Sequence, residues 1–404
     1  MSLTGTPLSA KLTSVGKGKM AKSVGYFAAF IGLGLAEAAL GRTLPGLAEH
    51  TRTVLSEISF LFVARATGYL LGALLAGRLY DRLPGHLVMA GVLFVMVLML
   101  FLTPLMPLLW LLTLVLLLLG VAQSAVDVGG NTLLVWVHRR QVGPYMNALH
   151  FFFGVGAFLS PVIIAQAISV SSDITWAYWL LALLIAPVAV YVGLLPSPRS
   201  EAADHEGKTG PVNYFLLTLL AIFFFFFVGA EISFGGWIYS YGLATGLAGE
   251  TMATYLNSAF WGALTLARLL TIPLAIRLRP RHLLMIDLAG SILSVTLILL
   301  WSHSLIALWL GTLGVGFFLA SIFPTTISLA ERNMTVTGAV TSWFIVGASL
   351  GSMAVPWLIG QLFESVGPQV MMLASLTVLL LASVIFVVLI RTLSGRRPAE
   401  VGES

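Results

Sequence analysis

The chain has 404 residues, 58% of them hydrophobic and only 9% charged, where a soluble domain carries roughly 25% charged residues; its mean hydropathy is +0.99. So apolar a chain cannot cover a water-facing surface, and lipid has to be its solvent. Cysteine is absent, which excludes disulfides, thiolate metal sites and a thiol nucleophile, and the net charge of +5 is distributed, as the loops show, for membrane orientation and not for nucleic acid.

Residues 1–22 are polar and basic and lack the apolar core of a cleavable signal peptide. The first hydrophobic helix is therefore expected to serve as an uncleaved insertion signal. A helix needs about 20 apolar residues to cross a bilayer, and the pattern predicts spans at 24–44, 54–79, 84–103, 108–137, 145–168, 174–195, 213–243, 251–276, 282–301, 304–330, 335–362 and 368–391. Span 1 carries Glu37. Span 2 carries Arg65 about midway, where an unpaired guanidinium is implausible, so a carboxylate partner is expected ahead of an anionic substrate. Asp81-Arg82 ends that span and reads as a gate ion pair. In span 4, Gln123, Asp127 and Asn131 stand at i, i+4 and i+8 and form one stripe that cannot face lipid, with Gly129 and Gly130 beside it permitting close backbone approach. Span 5 holds His150, a packing histidine or a proton relay.

The stretch 196–212 is the long hydrophilic segment of the interior and reads as a linker between an N-terminal bundle, 1–195, and a C-terminal bundle, 213–404. In span 7, Phe223 to Phe227 reads as lipid-facing bulk. Beyond it come Glu231, Trp237 and Tyr241, the last near a helix end, where it reads as part of the headgroup belt. Span 8 places Asn257 one turn before Trp261, with Arg268 further along. Asp287 in span 9 lies toward the same membrane face as Arg268, and Glu331-Arg332 closes span 10 as a second gate pair. Gly72, Gly77, Gly154, Gly156, Gly347 and Gly351 read as sites of close helix packing.

With twelve spans both termini lie on one side. That side holds seventeen of the 21 basic residues, from Lys11 and Lys17 through Arg78, Arg139, Arg140, Arg277 and Arg281 to Arg396 and Arg397, so the positive-inside rule puts termini and linker in the cytoplasm. The sequon Asn333-Met334-Thr335 falls on that side and is expected to be glycosylation-silent. The halves also repeat at an offset of about 195 residues. Ala36-Glu37 echoes Ala230-Glu231, Pro84-Gly85-His86-Leu87 echoes Pro280-Arg281-His282-Leu283, and Gly156 and Pro161 match Gly351 and Pro356. Two six-helix halves related by an axis along the membrane normal are the architecture of major facilitator transporters. The expected fold is thus an all-α membrane protein of twelve transmembrane helices in two pseudo-symmetric six-helix bundles.

Further segments resemble that superfamily. Gly77-Arg78-Leu79-Tyr80-Asp81-Arg82-Leu83-Pro84-Gly85-His86 is similar to its G-x-L-x-D-R-x-G-R loop motif, with the final Gly one place late and His86 where a basic residue is usual. The resemblance implies a gating role for Asp81, which the equivalent loop Arg277 to Arg281 lacks. Asp127-Val128-Gly129-Gly130-Asn131, Asn147-Ala148-Leu149-His150-Phe151 with Ser160-Pro161, and Gly229-Ala230-Glu231 through Gly235-Gly236-Trp237 resemble the sodium-dependent glucose transporters. Ser321-Ile322-Phe323-Pro324-Thr325 and Ala267-Arg268-Leu269-Leu270 resemble the related fucose permeases. This implies cation-coupled uptake of a hexose or similar solute.

Intramembrane ionisable groups cost at least about 2.5–3.5 kcal/mol each at a helix centre, so they face a cavity or a partner. In the functional reading Gln123 and Asn131 hydrogen-bond solute hydroxyls while Asp127 binds a proton or sodium; the alternative is an interhelical network without ligand. Glu37 and Glu231, equivalent in the repeat, either carry the coupling ion or contact solute, or pair with Arg65 and Arg268. Sugars stack apolar C–H faces on aromatic rings and direct hydroxyls to amides and carboxylates, which Trp237 with Glu231 and Trp261 with Asn257 supply. Substrate contact is therefore expected at Gln123, Asn131, Glu231, Trp237, Asn257 and Trp261, cation coupling at Glu37 and Asp127, and structural or gating roles at Arg65, Asp81, Arg82, His150 and Arg268. No catalytic residues, resident metal or cofactor are expected beyond Na+ or H+ as coupling ion. The expected setting is a bacterial inner (plasma) membrane, the expected state a monomer without nucleic-acid partners.

The runner-up within transport is a proton-driven exporter of drugs or other amphiphiles, whose cavity would be more apolar. An intramembrane enzyme needs a nucleophile–base pair or a metal cluster, and the sequence has no His-Glu-x-x-His, serine elbow or paired Asp motif. A channel needs a selectivity ring repeated by symmetry, which two dissimilar halves do not make.

Overall fold

The computed structural model describes residues 8–198, 213–334 and 338–394. The linker 196–212 and Thr335 of the sequon therefore lie largely or wholly outside the described residues, and the side chain of Arg140 is among those not described. The described residues form helices α1 (Leu8–Thr51), α2 (Leu55–Ile58), α3 (Phe60–Arg82), α4 (Gly85–Leu102), α5 (Leu109–His138), α6 (Gly143–Ser171), α7 (Ile174–Leu194), α8 (Tyr214–Ala244), α9 (Glu250–Arg277), α10 (Pro280–Leu300), α11 (Leu305–Leu319), α12 (Ile322–Glu331), α13 (Gly338–Val366) and α14 (Gln369–Ser394). Spans 2 and 10 are thus each broken, into α2–α3 and α11–α12. Eleven candidate spans are long and apolar enough to cross a membrane; α9, 28 residues long, is outside that set. Its composition explains this, since it carries Glu250, Asn257, Thr265, Arg268 and Arg277.

Two compact units result: Met1–Thr51 with Thr67–His205, and Arg52–Ala66 with Glu206–Ser404. The start of the second span therefore packs with the second unit. There Gln361 donates to the Ser56 carbonyl (2.6 Å) and the Leu55 amide donates to Glu364 (3.1 Å).

Helix pairing follows the sequence repeat. In the first unit α1 packs on α6, and α4 on α5 and α7; in the second, α8 packs on α13, and α10 on α11 and α14. Glycines set the close contacts. A methyl group at Gly156 would collide with the Ile31 carbonyl, and one at Gly351 with the Phe225 carbonyl; Gly34 lies against the Phe153 carbonyl, and Gly229 against Val355. Gly34 and Gly229, like Gly156 and Gly351, are 195 positions apart, so each half closes its first and fifth spans with the same small residues.

The phenylalanine run departs from expectation. Phe223, Phe224 and Phe227 are fully buried, because α8 is central to its unit and Phe224 packs against Phe323 and Phe344 (5.0 and 5.2 Å). Tyr241 is no belt residue either. It is buried and donates to Gln369 Oε1 at 2.9 Å, tying α8 to α14.

Gly351→Ala should lower stability by about 1–3 kcal/mol through overpacking. Gly77 is not the close-packing glycine expected, since a methyl there meets nothing within 4 Å, and Gly77→Ala should leave stability unchanged or slightly raised. Thermal unfolding of the purified variants in detergent checks both.

Candidate functional site

In the first unit the α5 stripe meets α1 and α3. Gln123 is fully buried, and its Nε2 donates to Glu37 Oε2 at 3.3 Å. Its Oε1 has no partner among the described residues. One turn on, the Asp127 carboxylate accepts from the Tyr69 hydroxyl of α3 through Oδ2. Asn131 Nδ2 donates to both Asp127 Oδ1 and the Asp127 carbonyl at 2.9 Å. Glu37, Tyr69, Asp127 and Asn131 are half-buried, whereas Ala122, Ser124, Ala125 and Val126 are buried. The stripe therefore holds two carboxylates within reach of solvent near the middle of their helices. Both amide protons of Asn131 are committed to Asp127, so this residue positions the carboxylate. Gly129 and Gly130 do admit close neighbours, but these are the Tyr80 and Phe30 rings.

Tyr69 was not legible in the sequence. It stands four residues after Arg65 with nothing to mark it, and only helix packing sets it opposite Asp127. His150 is half-buried with its ring edge-on to Phe30 (5.8 Å). Asp81 and Arg82 are exposed at the end of α3. His86, in the basic position of the loop motif, is buried. It bonds the Tyr26 hydroxyl through Nε2 (2.6 Å) and the Leu195 carbonyl through Nδ1 (3.0 Å), while its backbone N–H donates to Ser197 (3.0 Å). Since Nδ1 must donate to the carbonyl, Nε2 of the neutral ring accepts from Tyr26. The motif here ends in a strap across three elements instead of a free charge.

In the second unit Glu231 on α8 pairs with Arg268 on α9 at 3.7 Å. Arg65 is buried, on the stretch of α3 that belongs to this unit. Asn257 Nδ2 donates to the Gly235 carbonyl at 2.6 Å. Its Oδ1 and the Nε1 of Trp261 are buried without a partner among the described residues. An acceptor and a donor thus stand one turn apart on α9, and the Trp261 ring lies over Gly235, where a Cβ would come within 2.8 Å of it.

Trp237 requires a correction. It is fully buried, stacked on Phe363 (5.0 Å) with Phe62 at 6.1 Å, and its Nε1 donates to the Pro356 carbonyl at 3.0 Å. Every part of the indole is spoken for by the protein, so it packs α8 against α13 and offers no face to a solute. Sequence spacing could not separate it from Trp261, because the distinction lies in which neighbours each ring meets.

The sequence profile of the Major Facilitator Superfamily matches residues 23–344. The chain belongs to that superfamily. It is 32% identical over 374 residues to mouse sodium-dependent glucose transporter 1A, covering 83% of this chain and 88% of that one. With human sodium-dependent glucose transporter 1 the identity is 31% over 373 residues, covering 83% and 72%. Human major facilitator superfamily domain-containing protein 4A is 24% identical over 442 residues, covering 85% and 86%. In fold, a crystal structure of a mutant of the nucleoside transporter NupG superposes with a TM-score of 0.70 at 16% identity, covering 94% of this chain and 99% of that one. The protein is a multi-pass membrane transporter and not an enzyme.

Removing one member of the Glu231–Arg268 pair strands the other charge among apolar helices. Glu231→Gln alone should lower the unfolding temperature in detergent more than the double variant Glu231→Gln/Arg268→Gln. Equal losses would show that the pair is not coupled.

Proposed function

We propose that this transporter moves a hexose or related sugar by cation-coupled symport with alternating access. The observation that carries the reading is the Asp127 carboxylate, half-buried on the α3–α5 face and held by the Tyr69 hydroxyl and the Asn131 amide, with the half-buried Glu37 bonded by Gln123 one turn away. A carboxylate in apolar surroundings held only by neutral donors favours uptake of a compensating cation. Asp127 is thus the coupling group, positioned by Tyr69 and Asn131, and Glu37, bonded to Gln123 on the same stripe, is assigned to coupling with it.

Solute recognition falls to Asn257 Oδ1 with Trp261 Nε1 on α9, two of the nine buried polar atoms without a partner among the described residues. Hydroxyl groups both donate and accept, so a polyol satisfies an acceptor and a donor one helical turn apart, and the indole supplies an apolar face for its C–H bonds. The relatives named as sodium-dependent glucose transporters support the sugar class and the cation. Such a polar lining disfavours an exporter of amphiphiles. The excess of basic residues on the side of the termini supports a cytoplasmic placement of both.

Asp127→Asn should abolish accumulation in proteoliposomes under an imposed Na+ or pH gradient while leaving solute exchange in part. Unchanged accumulation would remove Asp127 from coupling. Trp261→Phe keeps an aromatic face and loses the N–H, so calorimetry should show sugar affinity reduced about tenfold, and Trp261→Ala a larger loss. Wild-type affinity in both would remove the residue from the site.

A further inference from the structure

A third carboxylate lies in the second half, outside the groups used above. Asp287 is the eighth residue of α10 and is 4% exposed. Its Oδ2 accepts from the Ser321 hydroxyl, and the hydroxyl of Ser291, one turn on, donates to the Asp287 carbonyl (2.8 Å). Among the described residues no Lys, Arg or His comes within the 4.0 Å of an ion pair. Of the charged groups on the helices packed against α10, Arg268 on α9 is engaged with Glu231, while Glu250 and Arg277 on α9, Glu331 on α12 and Arg391 on α14 are exposed, and α11 carries none. One hydroxyl does not balance a buried carboxylate in a medium where an isolated charge costs several kcal/mol.

The element that supplies Ser321 is itself interrupted. The tenth span is kinked at Ala320–Ser321, where α11 ends and α12 begins although both residues keep right-handed helical backbone angles. Pro324 accounts for the break: it has no N–H to give the Ala320 carbonyl, and its ring crowds that oxygen. Glycines hold α11 tightly to α10 just beyond it. A Cβ at Gly290 would enter the Phe318 ring, and one at Gly314 the Ser294 hydroxyl. A buried carboxylate, a hydroxyl and a proline-kinked helix whose Ala320 carbonyl lacks its usual N–H donor are therefore brought together by close packing. Hard oxygen donors of this kind, at a discontinuous helix inside a membrane transporter, suit a small monovalent cation.

We propose that Asp287, Ser321 and the interrupted α11–α12 backbone form a second cation seat, in which Na+ or H+ neutralises the buried carboxylate. It extends the coupling proposed above to the second half and does not depend on the identity of the solute. Binding there compensates a charge that the protein leaves unbalanced, and it bears on the geometry of the helix break. The plain alternative is that Asp287 only caps the start of α12 through Ser321. An asparagine serves that purpose equally well, since its amide oxygen accepts the same bond.

The test uses the full-length protein, purified and reconstituted, as wild type, Asp287→Asn and Ser321→Ala. ²²Na+ binding in detergent is one arm. Solute accumulation driven by a pH gradient without Na+, and by a Na+ gradient at uniform pH, is the other. If Na+ fills the seat, wild type binds ²²Na+ saturably and Asp287→Asn weakens this roughly tenfold or more, with a smaller loss in Ser321→Ala. If H+ fills it, the variants keep whatever ²²Na+ binding wild type shows and lose pH-driven accumulation instead. The seat is overturned if both variants keep wild-type ²²Na+ binding and gradient dependence, or if wild type shows neither. Unfolding temperatures establish that the variants fold. Calorimetric titration with sugars separates the two readings: absence of sugar binding to wild type defeats the proposed solute and leaves the ²²Na+ arm standing.

Discussion

Inside a bilayer no water is at hand to satisfy a stranded polar group, and every other feature of this chain follows from that. The backbone meets the constraint by forming helices. Side chains cannot all do so, and each buried amide, hydroxyl or charge must find a neighbour or do without. The first unit answers with Tyr69 and Asn131 around Asp127 and with Gln123 beside Glu37. In the second, Arg268 meets Glu231, while Asn257 Oδ1 and Trp261 Nε1 find no partner among the described residues. The groups left over are the ones that a small polar solute or a cation can complete.

Close helix packing makes this selective. Glycines at equivalent places in the repeat let α1 meet α6 and α8 meet α13 with backbone carbonyls at van der Waals limits. Such contacts fix helix rotation, and rotation decides whether a side chain looks into its bundle or out of it. The same device presses the α11–α12 break onto Asp287. A duplicated scaffold thus carries two different sets of polar residues, and the halves resemble each other in backbone pairing far more than in chemistry.

Much of the site could be read along the chain, with characteristic errors. The i, i+4, i+8 spacing of Gln123, Asp127 and Asn131 placed them on one face, and the structure brings them to α1 and α3 as a stripe should. Trp237 and Trp261 looked alike, since each lies one or two turns from a polar residue, yet one is sandwiched by phenylalanines and the other leaves its N–H unpaired. The run Phe223 to Phe227 looked like lipid-facing bulk because an apolar helix in a membrane has no hydrophilic side to betray its orientation. Hydrophobic periodicity loses its meaning where solvent and core are equally apolar.

The sequence by itself determined that the chain lives in lipid, how many times it crosses, and which superfamily and duplication it follows, because apolar run length, basic-residue placement and repeated glycines are properties of the chain in one dimension. Only the tertiary structure decided which polar atoms are matched. It found Tyr69 for Asp127, closed Trp237 into a ring stack, and set Ser321 on Asp287. Those pairings join residues 34 to 119 positions apart, and helix rotation, which fixes them, is set by packing between segments and not by any residue's own preference.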